Sequence, residues 1–142
     1  ISVLPAGFQY AGVISFAGAI ADVKAPTWPK RPCPILLFHG DVDRTVPYRQ
    51  AALPDVGGLW GSAAIAESLD KTSASYTFYR IGNAGHVISS TPMTEQLYDI
   101  LSFLDRCVMH KESLVIQTSI HAAGDSLQEA HFTIEDYLKE NL

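Results

Sequence analysis

Three short apolar runs, each followed by a glycine, constrain this chain most. Ala11 to Ala17 (AGVISFA) runs into Gly18, Ile35 to His39 (ILLFH) into Gly40, and Tyr76 to Ile81 (YTFYRI) into Gly82. A half-exposed strand alternates apolar and polar residues. The first two runs barely alternate, so they predict strands buried on both faces, as in a parallel sheet covered by helices. The third is aromatic and β-branched and predicts another strand.

Helical patterns fall between and after these runs. Leu59, Ala63, Ala66 and Leu69 share one helical face just after Gly57 and Gly58, which predicts a helix over Leu59 to Leu69. Thr91 offers an N-cap hydroxyl with Pro92 at the first helical position. Met93, Leu97, Leu101, Leu104 and Val108 then follow at helical spacing. Leu114 to Ile120 reads as a further strand. Thr133 and Asp136 have capping-box spacing before Tyr137 and Leu138. The four prolines of Ala25 to Pro34 require a loop. Strands alternating with helices predict an α/β fold with a parallel sheet, whose working residues sit past the carboxyl ends of the strands. Two loops qualify: Gly40 to Tyr48 and Gly82 to Ser90.

Composition narrows the classes. The chain has 142 residues, 47% hydrophobic and 18% charged, with a formal net charge of −5. Disorder does not fit so apolar and sparsely charged a chain. An acidic balance without a Lys/Arg run argues against nucleic acid as a partner. No apolar stretch approaches the roughly 20 residues of a membrane-spanning helix. Cys33 and Cys107 are far apart and match no common zinc spacing. No HExxH, HxH or GxGxxG occurs, so no metal and no cofactor is expected.

The two loops carry the chemistry. An imidazole that works as a base needs a carboxylate to fix its tautomer and to stabilise the imidazolium it becomes. The first loop offers Asp41 and Asp43, the second His86. Asp41 directly follows Gly40, a position that suits a turn former bonding its own backbone. His39, at the end of an apolar run, reads as a hydrogen-bonded structural histidine. His110, His121 and His131 share no ligand spacing.

Together these segments resemble the α/β-hydrolase superfamily, in particular its esterases and lipases. PCPILLFHGDVDRTVPY resembles the segment that bears the family's acid: a buried strand, His-Gly, an Asp three residues after the Gly, then Val-Pro. YTFYRIGNAGHVIS resembles the next strand with its Gly-His. The helix from Thr91 resembles the family's last helix, and AGVISFAGAI the strand after the nucleophile's helix. The resemblance covers roughly residues 10 to 110. It implies Asp43 as the catalytic acid, His86 as the general base, and hydrolysis of a small-molecule carboxylic ester through an acyl-enzyme.

The nucleophile is missing. Only Ser2 and Ser15 precede Asp43, and neither sits in a GxSxG elbow. Ser62 follows Asp43 and lies in a predicted helix. Residues 1–111 are therefore expected to be the C-terminal part of an α/β-hydrolase domain with a doubly wound parallel sheet, inactive alone, and 112–142 an extension of unknown role. The expected partners are the N-terminal half of such a domain or, through an exposed sheet edge, a second copy. The alternative is a non-catalytic degenerate hydrolase or binding domain.

Overall fold

The computed structural model describes residues 3–121 and 130–141. Its centre is a four-stranded sheet in the order β1-β3-β6-β7, made of β1 (Val13–Phe16), β3 (Ile35–Gly40), β6 (Tyr76–Ile81) and β7 (Val115–Ile120). Every neighbouring pair in it is parallel. The chain is thus mixed α/β with a parallel sheet, and the three apolar runs supply three of its strands.

The central strand shows why ILLFH has no polar alternation. All six residues of β3 are buried. Ile35 and Leu37 pack with Ala63, Ile65, Ala66 and Leu69 of α1 (Ser62–Leu69) on one face. Leu36 and Phe38 pack with Ile88, Ile100, Phe103 and Cys107 on the other. Each full burial of such a side chain contributes about 1.5–3 kcal/mol. Continuing the alternation, His39 falls on the α1 face, and it is buried as well.

A second sheet, not expected from the sequence, precedes α1. It is antiparallel, in the order β2-β5-β4: a hairpin of β4 (Gln50–Leu53) and β5 (Gly57–Gly61) with β2 (Ala19–Asp22) paired to the outer side of β5. The helix expected from Leu59 therefore begins three residues later, at Ser62. Leu59 is buried, like Ala63, Ala66 and Leu69, so its spacing imitated the helical face it only adjoins. The hairpin turn uses Asp55 (φ 64°) and Gly57 (φ 117°), both left-handed. A Cβ on Gly61 would lie 1.8 Å from the Pro47 carbonyl oxygen, so the close approach of the loop after β3 requires glycine there.

The helix expected from Thr91 forms in two pieces, α2 (Pro92–Glu95) and α3 (Leu97–Phe103), with a wide turn over Leu104–Met109. Gln96, at φ −116° and ψ 32°, breaks it. Pro92 takes the first helical position, but Thr91 has helical dihedrals and no capping bond, and its Oγ1 is buried without a partner. Most of the apolar stripe faces outward, Met93 being 62% exposed, Leu97 51% and Leu101 55%, while Val108 packs inward. Ile100, Phe103 and Cys107 make the inward face instead.

β7 continues the sheet beyond β6, so residues 115–120 share a sheet with strands before residue 111. The last element, α4 (Ile134–Asn141), buries no side chain. Its N-terminus is capped as expected, Thr133 Oγ1 accepting from the Asp136 N–H at 3.1 Å. Residues 122–129 of the expected extension lie outside the described residues. Among the described residues no helix is long and apolar enough to cross a membrane.

Among the described residues, β1 is the edge strand of the parallel sheet and pairs only with β3. Beside it lies a groove of about 1100 Å³ whose lining includes Val13, Ser15, Ile20, Trp28, Leu37 and Ile65. Neither Asp43 nor His86 lines that groove.

Candidate active site

The loops after β3 and β6 meet because their strands are adjacent and parallel and end level, with Gly40 opposite Ile81. Their backbones then touch. Asp41 N donates to Ile81 O at 3.1 Å and Val42 N to Ala84 O at 3.1 Å. A Cβ on Gly40 would lie 2.1 Å from Ala84 O, which explains the glycine that closes the run. The second loop turns through Asn83, a left-handed residue at φ 56°. Asparagine tolerates that conformation better than most.

Asp43 and His86 are brought together across this junction. His86 Nδ1 donates to Asp43 Oδ2 at 2.9 Å. The other carboxylate oxygen, Oδ1, accepts from Thr45 N at 2.8 Å and Val46 N at 2.9 Å, so a tight turn holds the acid's orientation. Asp43 is 2% exposed. Burial pushes its carboxyl up, but hydrogen bonds from His39, Val46, His86 and Thr45 outweigh it and hold the group below its ordinary value. His86 keeps 29% of its side chain exposed. With Nδ1–H committed to Asp43, the ring's lone pair sits on Nε2, the arrangement a proton acceptor requires.

Asp41 has a different task. Its Oδ2 accepts from Arg80 Nε at 2.9 Å and Nη2 at 2.7 Å, and its Oδ1 from Asn83 N at 2.8 Å. It therefore ties its loop to the neighbouring strand and loop. The expected bond to its own backbone is not the one its carboxylate makes. The guanidinium of Arg80 also lies 5.8 Å from the centre of the Tyr48 ring.

His39 is fully buried and satisfied on both nitrogens, as a structural histidine should be. It sits 3.5 Å from Asp43 Oδ2 through Nε2, which also bonds Val46 O at 3.1 Å. Its Nδ1 lies 2.8 Å from Ser62 Oγ. No role at this site was expected for Arg80 or Ser62. Arg80 could have been suspected as the one charge in an otherwise uncharged strand, two residues before the His-bearing loop. Ser62 carries no local signal, because its place follows from the unexpected hairpin.

Among the described residues no serine, threonine or cysteine side chain is hydrogen-bonded to the His86 ring. Ser15 lies within β1, and Ser62 is buried against His39. Cys33 and Cys107 form no disulfide. What these residues can do chemically is accept a proton at His86 and stabilise the resulting cation at Asp43. No protein-family model matches the chain, and no curated protein or solved structure is significantly similar to it.

Proposed function

We propose that this chain supplies the acid and base of an α/β-hydrolase that cleaves small carboxylic esters through an acyl-enzyme. The observation that carries the reading is the 2.9 Å bond from His86 Nδ1 to the buried Asp43 carboxylate, between loops at the carboxyl ends of adjacent parallel strands. A partly exposed imidazole held in this tautomer is suited to take a proton from an attacking hydroxyl and return it to the leaving alcohol. Asp43 would orient the ring and stabilise its charge.

The nucleophile would come from a segment pairing with β1. Among the described residues that strand has an unpaired edge, and in a parallel sheet a further strand there would deliver its own C-terminal loop to the same end as Asp43 and His86. A serine on that loop would complete the set. The chain alone is then a holder of acid and base, without acyl transfer of its own.

The experiment is a fluorophosphonate labelling and aryl-ester assay on the 142-residue chain and on the complete product of its gene. The expected result is no label and no turnover for the chain, with a labelled serine and His86-dependent turnover for the gene product. Robust turnover with labelling of the chain itself would contradict the division of roles. A gene product with neither label nor turnover would favour the binding-domain reading.

A further inference from the structure

The acid is held from behind by a second buried pair. His39 leaves β3 on the α1 face, and Ser62 is the first residue of α1. Both are completely buried. The acceptor at Val46 O requires a hydrogen on His39 Nε2, so in the neutral ring Nδ1 is bare and accepts the Ser62 hydroxyl proton. The Nε2–H hydrogen reaches the peptide that matters for Asp43. Val46 donates its own N–H to Asp43 Oδ1 while its carbonyl accepts from His39. The same Nε2 lies 3.5 Å from Asp43 Oδ2, the oxygen that receives His86.

Ser62 is placed by the backbone around it. Gly61 N donates to Arg49 O at 2.7 Å and Ala63 N to Tyr48 O at 3.0 Å, which ties the start of α1 to the end of the acid's loop. The Tyr48 ring packs edge-on against His39, with centroids 5.8 Å apart. The nearby charges are already engaged with each other, Arg80 with Asp41. Ser62, His39, the turn at Val46, Asp43 and His86 thus form one continuous chain of contacts.

We infer that His39, oriented by Ser62, is a positioning residue that fixes the Asp43 carboxylate so that it holds His86 in its Nδ1–H tautomer. The inference rests on the acid–base reading of Asp43 and His86, but not on the identity of the substrate or nucleophile. Neither His39 nor Ser62 touches the reacting atoms. A buried ring here serves better than an aliphatic side chain because it makes a directed bond to the turn that carries Asp43.

The test is the ratio of the two neutral His86 tautomers in the 142-residue chain, read from ring nitrogen chemical shifts at alkaline pH. The Nδ1–H form is expected to dominate, and Asp43→Asn to reverse the preference. His39→Leu is expected to lower the ratio about fivefold, the equivalent of one ordinary hydrogen bond. His39→Gln, which can still donate to Val46 O, is expected to restore most of it. Ser62→Ala is expected to move the ratio the same way by less, and it serves if His39→Leu does not fold. A ratio that responds to Asp43→Asn but not to His39→Leu or Ser62→Ala overturns the role of His39 alone. A ratio indifferent to Asp43→Asn overturns the acid–base pair and this inference with it.

Discussion

The carboxyl end of the parallel sheet and its β1 side are finished to different degrees. At the carboxyl end, Asp41 and Asp43 have both carboxylate oxygens occupied, and the loop they share is joined by backbone bonds to the loop of His86. On the β1 side, among the described residues, a strand edge lies unpaired beside an open groove, and elsewhere on the surface Met93, Leu97 and Leu101 are exposed. The contrast shows that the Asp43–His86 pair is held in place by its own strands and loops. What the β1 side lacks is cover and, in the proposed function, a nucleophile.

Substitutions on the two kinds of surface should separate sharply. Phe38→Ala, in the fully buried strand that carries the acid, is expected to cost about 3–5 kcal/mol in denaturant unfolding. A cost below about 1 kcal/mol would mean that β3 is not the core strand described. Gly40→Ala comes next, at about 1–3 kcal/mol, because its Cβ meets backbone at Ala84 and Gly85 rather than a movable side chain. The same variant should weaken the His86 to Asp43 bond, visible as faster exchange of the His86 Nδ1 proton.

A smaller effect depends on pH. Asp43 is held below its ordinary value in the folded chain: burial raises it, and the bonds from His39, Val46, His86 and Thr45 more than compensate. A depressed carboxyl contributes stability that is fully present above the unfolded value, about 3.9, and is lost as pH falls through the folded value. Wild type and Asp43→Asn should therefore differ most in unfolding free energy near neutral pH, and the gap should close in acid below that range. A gap independent of pH would show that the carboxylate's charge is not stabilised by its surroundings. The smallest effect belongs to the outer stripe. Leu101→Lys should change stability by no more than about 0.5 kcal/mol, since that side chain is already 55% exposed. The unpaired β1 edge predicts self-association, read as a sedimenting mass that rises with concentration. A strictly monomeric chain at high concentration would count against an adhesive edge.

What the sequence disclosed follows from the same contrast. β3 was legible because both of its faces are buried, which leaves no polar alternation to confuse the reading. Asp43 and His86 were legible because each lies in a loop that leaves such a strand. β5 was hidden because Leu59 has helical spacing to Ala63 and Ala66 while its strand holds three glycines, Gly57, Gly58 and Gly61. The direction of the α3 stripe was hidden too. Leu97 and Leu101 have the same spacing whether a helix turns them in or out, and only the burial of Ile100, Phe103 and Cys107 decides it. The link from Ser62 to Asp43 depends on where Gly61 allows Pro47 to approach, a contact with no counterpart in local pattern.

The most direct measurement of the central claim compares the two carboxylates that stand two residues apart. In the complete gene product, kcat/KM for a short-chain aryl ester would be measured for Asp43→Asn and Asp41→Asn. Asp43→Asn is expected to lose roughly 10³-fold or more, because the imidazole takes the wrong tautomer. Asp41→Asn, which loosens a tie between loops, is expected to lose far less, about tenfold or less. Equal losses, or activity retained in Asp43→Asn, would contradict the assignment of Asp43 as the partner of His86 in catalysis.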